Sequence, residues 1–174
     1  MNLLYSLESY FDEIVGARYA TSLKGGAEEP YYEAFNSEFG CAVIWYREDY
    51  LRSALHELAH WCVAGTERRT QNDYGYWYEP DGRTESQQAL FFEVERRPQA
   101  IERWFCEILG VPFDVSLDNL DGSVSHAAVA AFELAVEASY RSLIERGVSP
   151  RMQLVSRALH LVRDSHDKFI PLAS

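Results

Sequence analysis

Two histidines four residues apart flank a glutamate in the segment ALHELAHWCVAG (residues 54–65), as His56-Glu57-x-x-His60. On an α-helix, residues i and i+4 stand on one face about a turn apart, so both imidazoles can be directed at a single point. That is the geometry of two ligands to one metal ion. In metalloproteases the glutamate of this motif acts as the general base on a metal-bound water. The motif therefore predicts a metal site at His56 and His60, with Glu57 as a candidate catalytic residue.

A third metal ligand has to come from elsewhere, because two histidines alone hold a divalent transition metal poorly. Glu93 and Glu95 lie in the helical segment FFEVERRPQA, where a carboxylate among apolar residues is costly unless it is paired or metal-bound. Residues two apart on a helix point in nearly opposite directions, so only one of the two is expected to face the metal. If that residue is Glu95, Gln99 follows it on the same face. The other acidic candidates downstream are Glu67, Glu79, Asp81, Glu85 and Glu102.

This ligand set suits two chemistries. Two histidines and a glutamate around zinc, with Glu57 as base, describe a peptidase, whereas the same set around ferrous iron with open positions describes an oxygenase. A third possibility is a non-catalytic binding domain with a structural metal, for which His126, His160 and His166 are available as extra ligands. Structural zinc normally has four protein ligands, so an open position would argue against that possibility. The spacing alone does not separate the peptidase from the oxygenase.

The elements that must position these residues are predicted to be helices. Apolar residues recur at helical spacing over about residues 49–64, and Gly65 follows as a natural stop. A second helical stretch begins after Thr84, a candidate N-cap, and ends at Gly110. Pro98 lies inside this stretch and is expected to kink or restart the helix, because proline removes a backbone hydrogen bond. Both sets of candidate ligands are thus expected on helices.

The rest of the chain predicts further helices and a small sheet. Helices are expected over residues 3–15, 126–146 and 150–163, and a buried strand over residues 41–47. Residues 73–83 are expected to start as a short aromatic strand and to end in a turn, and residues 111–122 to form a loop. Residues 22–36 contain two glycines and a proline, so turns or irregular chain with short extended pieces are expected there. We therefore predict one α+β domain over residues 1–174, predominantly helical with a small sheet.

The composition is that of a globular protein with a strong negative charge. Sixteen lysines and arginines against 27 aspartates and glutamates leave a formal net charge of −11 at pH 7. This charge argues against nucleic acid and anionic membrane surfaces as partners and favours a cationic one. The three cysteines are widely spaced and form no CxxC pair, which is typical of buried thiols in a reducing compartment. Because the N-terminal segment is acidic and no long apolar run follows, we expect a cytoplasmic protein.

Two longer stretches resemble a known protein family. HELAHWCVAGTERRTQNDYGYWYEPDGR (residues 56–83) and VERRPQAIERWFCEILGVPFDVSLDNLDG (residues 94–122) look like the elongation factor P hydroxylase family, and TSLKGGAEEPYY (residues 21–32) resembles it more loosely. The combination of His-Glu-x-x-His-Trp-Cys, Gly-Tyr-Trp-Tyr-x-Pro-Asp-Gly-Arg and Val-Glu-x-x-Pro-Gln-Ala is far more specific than any one of these motifs. The C-terminal segment from SHAAVAAFEL onward matches no motif, so its role stays open.

The resemblance implies an enzyme that hydroxylates the lysine of elongation factor P that already carries a β-lysyl extension. It also implies a core similar to that of HExxH metallopeptidases, in which Fe(II) serves oxygen chemistry with dioxygen as co-substrate. By motif, His56 and His60 match the family's imidazole ligands and Glu95 its carboxylate ligand. An oxygenase needs no peptidase base, so Glu57 would orient a metal-bound water or hydrogen-bond behind the ligands. The alternative is a zinc metallopeptidase of the HExxH type with a downstream glutamate ligand.

An acidic and aromatic rim is predicted to receive the cationic lysyl-lysine side chain. A protein of this net charge can steer ammonium groups through its field, and aromatic rings can contact them by cation–π interaction. Alternate side chains of a strand point in opposite directions, so at most two rings of the aromatic segment can line one cleft. For each acidic residue, formation of a turn is the alternative role. The substrate-binding candidates are Tyr76, Tyr78, Asp81 and Asp118, with Asp73 and Asp121 as further acidic residues.

Overall fold

The computed structural model describes residues 2–75, 83–117 and 124–167. These residues form an α+β fold that is mostly helical with one small sheet, which confirms the predicted class. The elements in chain order are α1 (Leu3–Phe11), a π-helical turn (Asp12–Gly16), α2 (Ala17–Tyr19), β1 (Thr21–Ala27), β2 (Tyr31–Asn36), β3 (Cys41–Arg47), α3 (Leu51–Val63), 3₁₀ turns (Arg68–Thr70 and Asn72–Gly75), α4 (Glu85–Leu109), α5 (His126–Arg146) and α6 (Pro150–Asp167). Among the described residues, no helix has the length and apolar character needed to cross a membrane.

The sheet has three strands in the order β1-β3-β2, with β1 parallel and β2 antiparallel to β3. Leu23 and Tyr32 both pair with Ile44 of the central strand, and all three side chains are buried. Strands β1 and β2 occupy most of residues 22–36, so the short extended pieces expected there are present, and the turn or irregular chain between them is shorter than predicted. Pairing with the buried β3 outweighs the poor strand propensity of the glycines and proline in this stretch.

Both outer edges of the sheet are closed by side chains that accept hydrogen bonds from strand amides. Glu8 and Asp12, one helical turn apart in the first helical segment, accept from two amides of β1. Asn72 and Asp73 accept from two amides of β2. Open strand edges otherwise present unpaired donors to solvent and to other chains. These bonds fix the first helix and the Asn72–Gly75 turn to opposite edges of the sheet.

The helices that carry the candidate ligands belong to the main core. Helices α1, α3, α4 and α6 pack with the inner face of the sheet, and α5 packs on α4 through a small separate cluster. The largest fully buried side chains of the main core include Phe11, Tyr46, Trp61 and Phe105. This packing places α3 against α4, so residues 56–60 and residue 95 face each other across a helix pair.

Most predicted helix boundaries agree with the structure. Thr84 caps α4 together with Gln87 in a capping box, and Gly110 ends it in the left-handed region at φ 70°. Pro98 lies inside α4 without interrupting it, so the predicted restart is wrong, because the packing of α4 tolerates one missing backbone bond. In the predicted aromatic strand over residues 73–83, the described start is a 3₁₀ turn, and the remainder lies outside the described residues before Arg83.

Candidate metal centre

The candidate metal ligands come from two neighbouring helices. His56 and His60 lie one turn apart on α3, and Glu95 lies on α4. The Nε2 atoms of the two histidines are 3.0 Å apart. Nε2 of His60 lies 3.1 Å from Oε1 of Glu95, and Nε2 of His56 lies 3.5 Å from Oε2. The structure therefore brings together the three residues that the sequence predicts as ligands.

These separations suit a transition-metal ion. An ion bonded at about 2.0–2.2 Å to nitrogen and oxygen places neighbouring ligand atoms ~3.0 Å apart at right angles and ~3.5 Å apart at tetrahedral angles. Oε2 of Glu95 has no hydrogen-bond partner among the described residues, although the residue is only 2% exposed. A buried carboxylate oxygen in this state is costly, and a cation between the three groups would satisfy it. The donor set and its spacing thus fit a divalent metal.

The charges of the three groups depend on one another. Burial raises the pKa of Glu95, but the rings of His60 and His56 outweigh this effect and hold the pKa at about 2. Burial lowers the pKa of His56, but Glu102 and Glu95 outweigh it and raise the pKa above its ordinary value. Without a metal, a proton on the His56 ring would balance part of the charge of Glu95 and Glu102. A metal cation would take the place of that proton, as happens when ligands release protons on metal binding.

A second buried carboxylate holds the ring of His56. Oε2 of Glu102 lies 2.9 Å from Nδ1 of His56, and Oε1 accepts from Nε of Arg52 at 2.6 Å. A proton on Nδ1 that is shared with Glu102 leaves the Nε2 lone pair free to face His60 and Glu95. From the sequence, Glu102 is predicted only as a possible third ligand. In the structure Glu102 instead contacts Nδ1 of His56, on the side of the ring away from the cluster. Arg52 is not among the site residues predicted from the sequence. Its position one turn before His56 on the same helix is the signal that could have indicated it.

Glu57 lies half-buried on α3 beside the histidine pair. Burial raises the pKa of Glu57, and the nearby Glu95 and Asp73 carboxylates raise it further, while His60 and His56 lower it. The carboxyl is thus close enough to both rings for its charge to depend on theirs. Its role as a general base, or as a group that orients a metal-bound water, stays a prediction.

The remaining candidates separate into described and undescribed positions. Glu93 is 61% exposed at its side chain and pairs with Arg96, so it is the solvated member of the pair with Glu95, as the helical spacing predicts. Asp73 accepts a hydrogen bond from the backbone of Tyr32, which is a structural role at the sheet edge. His126, His160 and His166 lie on α5 and α6, outside the cluster of His56, His60 and Glu95. The substrate-binding candidates Tyr76, Tyr78, Asp81 and Asp118 lie outside the described residues, as does Asp121.

Fold and site together define an α+β protein in which an HExxH helix and its neighbour assemble two imidazoles and one carboxylate into a candidate metal centre. A family model described as "Elongation factor P hydroxylase" matches residues 10–168. The chain is also 38% identical over 156 residues to the elongation factor P lysine hydroxylase of Haemophilus influenzae, covering 90% of this chain and 86% of that protein. The chain therefore belongs to the elongation factor P hydroxylase family, which confirms the resemblance seen in its motifs.

Proposed function

We propose that this chain is a metal-dependent enzyme that hydroxylates a lysine side chain of elongation factor P, with His56, His60 and Glu95 as the metal ligands. The observation that carries the proposal is the three-residue cluster at ligand spacing in a member of this family. The metal, which we propose to be Fe(II), would supply dioxygen activation when bound. In the overall reaction a C–H bond of the lysine becomes C–OH, the second oxygen atom leaves as water, and a two-electron donor is consumed.

The residues in and around the cluster of His56, His60 and Glu95 have different roles in this proposal. Glu102 holds the His56 ring so that Nε2 is available to the metal. Glu95 supplies a buried negative charge that favours a cation between the ligands. The side chains of His56 and His60 are 24% and 14% exposed, so both ligand side chains are in partial contact with solvent. Three protein ligands would leave further coordination positions for other groups, as in non-haem iron oxygenases.

The proposed substrate is elongation factor P that carries a β-lysyl-lysine. Its extended side chain presents ammonium groups, and the net charge of −11 supports recognition of a cation. Tyr76, Tyr78, Asp81 and Asp118 remain the candidate contacts for this side chain. The proposal includes a cytoplasmic location, where the translation factor works, and it includes neither nucleic acid nor membrane as a partner.

The alternative function is a zinc metallopeptidase, which uses the same ligand set. Its supporting feature is the position of Glu57 between the two histidines, where a peptidase has its general base. A metallopeptidase-like arrangement of α3 and α4 is part of both proposals. They differ in the metal, the reaction and the need for Glu57.

Mass spectrometry of β-lysylated elongation factor P tests the proposal. The factor is incubated with the wild-type protein, Fe(II), a reductant and air, and we expect it to gain one oxygen atom. His60→Ala should abolish the gain because it removes a ligand. His160→Ala is the matched control, since His160 is an exposed histidine on α6, and it should behave as the wild type.

Two further experiments, one on the substrate and one on the metal, distinguish the hydroxylase proposal from the peptidase alternative. Elongation factor P without the β-lysyl group should be modified less, which tests the substrate. Replacement of Fe(II) by Zn(II) should abolish hydroxylation, which tests the metal. If the factor stays unchanged while the zinc-loaded protein cleaves generic peptides, the hydroxylase proposal is wrong and the peptidase alternative replaces it.

A further inference from the structure

Helix α4 carries a stripe of buried polar side chains on the face that packs against α3. Glu95, Gln99 and Glu102 follow one another at spacings of four and three residues, and each is at most 2% exposed. Charged and amide side chains are rarely buried to this extent unless they have partners. Only Glu95 is a candidate metal ligand. Gln99 contacts residue 116 directly, and Glu102 is connected to residues 112–114 through Arg52. Both therefore connect to one segment, residues 112–116.

The first connection runs from His56 through Glu102 to Arg52. The Arg52 guanidinium donates to Glu102 and, at its other end, to the carbonyl of Asp114 at 2.8 Å and the carbonyl of Pro112 at 3.4 Å. It also lies 4.9 Å from the ring centroid of Phe113. The carboxylate that holds the His56 ring is therefore itself held by a cation that is fixed to residues 112–114.

The second connection runs from Glu95 through Gln99. The Gln99 amide donates to the carbonyl of Ser116 at 2.8 Å and accepts from the Ser116 amide at 3.0 Å. This pair of bonds fixes the orientation of the side chain, because both its oxygen and its nitrogen are engaged. Gln99 lies one helical turn after Glu95 on the same face of α4, and both side chains are buried. Residue 116 is thus joined to the face of α4 that carries Glu95.

We infer that Arg52, Gln99 and Glu102 are positioning residues, and that the segment 112–116 sets the placement of His56 and Glu95 through them. The inference rests on the proposed metal site and needs no assumption about the substrate. Groups that hydrogen-bond metal ligands orient them, and their loss typically lowers metal affinity by about 10- to 100-fold. The segment 112–116 contributes no ligand, yet it determines how well the ligands are aligned.

Two conservative variants test the first connection. His56 and Arg52 face different oxygens of Glu102, and in Glu102→Gln one of these oxygens becomes an NH2 group that cannot accept, so we expect cobalt(II) affinity to fall about tenfold. Arg52→Lys keeps the charge, but one ammonium cannot reach Glu102 and both carbonyls, so we expect a loss of about three- to tenfold. The matched controls are Glu107→Gln and Arg103→Lys, which change an Arg–Glu pair elsewhere on α4. Both controls should bind cobalt(II) like the wild type.

A third variant changes the segment itself and leaves α3 and α4 intact. Ser116→Pro removes the backbone donor to Gln99 at an exposed position, and we expect about a threefold loss of cobalt(II) affinity. Affinity is measured by calorimetry, alignment by the visible spectrum of bound cobalt, and folding by thermal unfolding of the metal-free proteins. A change in the alignment of the ligands should alter the cobalt spectrum even in a variant whose unfolding temperature is unchanged.

The outcomes separate this inference from the proposed function. Weaker binding and an altered cobalt spectrum in the three variants, with unchanged controls, support it. If the variants only lower the unfolding temperature while affinity and spectrum stay at wild-type values, these residues are structural and the inference is overturned. If the wild type itself binds no cobalt, the proposed metal site fails together with the inference, whereas tight binding by wild type and variants alike overturns the inference alone.

Discussion

Replacement of Arg151 by methionine tests how the C-terminal helix holds the histidine helix. From α6, Nη1 of Arg151 donates to the carbonyl of Trp61 at 2.6 Å and Nη2 donates to the carbonyl of Ala64 at 2.7 Å. The guanidinium also lies 5.1 Å from the Trp61 ring centroid. These carbonyls are at the C-terminal end of α3, where backbone acceptors lack partners within the helix and the helix dipole favours a cation.

The expected loss follows from these contacts. Methionine keeps an apolar stem against Trp61 but removes the charge and both donors. A hydrogen bond to a charged group contributes about 1.5–3 kcal/mol. The Ala64 carbonyl keeps a second donor, Nη1 of Arg69 at 2.7 Å, so only the Trp61 carbonyl loses its charged donor outright. We expect the free energy of unfolding to fall by about 2–3 kcal/mol and Tm to fall by about 5–10 °C for a chain of this length.

Thermal unfolding of the metal-free proteins measures this loss. Arg157→Met is the control, because Arg157 is an exposed arginine on the same helix. Cobalt(II) affinity is measured in parallel, and we expect it to fall for Arg151→Met, because the end of the ligand-bearing helix is loosened. A Tm within about 1 °C of the control would refute the reasoning, since one degree corresponds to well under 1 kcal/mol at this size.

Three further predictions concern the site and the thiols. Glu57→Gln should retain most hydroxylation by mass spectrometry, whereas a loss of about a thousandfold would indicate a catalytic base. A divalent metal at about 100 times its Kd should raise the free energy of unfolding by about 2.7 kcal/mol, measured by thermal unfolding, and His60→Ala should remove this shift; no shift in the wild type would contradict the metal site. Burial raises the pKa of all three thiols, to about 12 for the buried Cys62 and Cys106, so iodoacetamide at about pH 8 should label the half-buried Cys41 first, and raising the pH by about one unit should increase labelling of Cys41 most. Peptide mass mapping checks this, and equal labelling would contradict it.

The parts of the fold that depend on local pattern could be predicted from the sequence. The helix that carries the histidines follows from apolar spacing, and α4 follows from its Thr84 cap and its Gly110 stop. Strands β1 and β2 could be predicted only as short extended pieces, because two glycines and a proline interrupt their segment. They form through pairing with β3 and through edge bonds from Glu8 and Asp12, contacts that connect distant parts of the chain.

In the candidate site, too, the features that depend on local helical spacing could be predicted, and the contacts between helices could not. His56 and His60 form a local pair, and Glu95 could be chosen over Glu93 because the two residues occupy opposite faces of one helix. Helical spacing also puts Gln99 on the face of Glu95, but it does not say what that face meets. The positions of Glu102 behind His56 and of Arg52 beside Glu102 depend on how α3 packs against α4, which no local pattern specifies.

The family match extends beyond the motifs into the C-terminal helices. The recognisable motifs end at residue 122, whereas the family model continues to residue 168 and so includes all of α5 and α6. These helices add no residue to the three-residue cluster. Helix α6 instead supplies Arg151 to the carbonyl end of α3, as Arg52 joins the start of α3 to the segment 112–116. In the proposed metal site, two imidazoles one turn apart would converge on one ion only while their helix keeps its position relative to Glu95, so we expect residues that do not touch the metal to be needed at both ends of that helix.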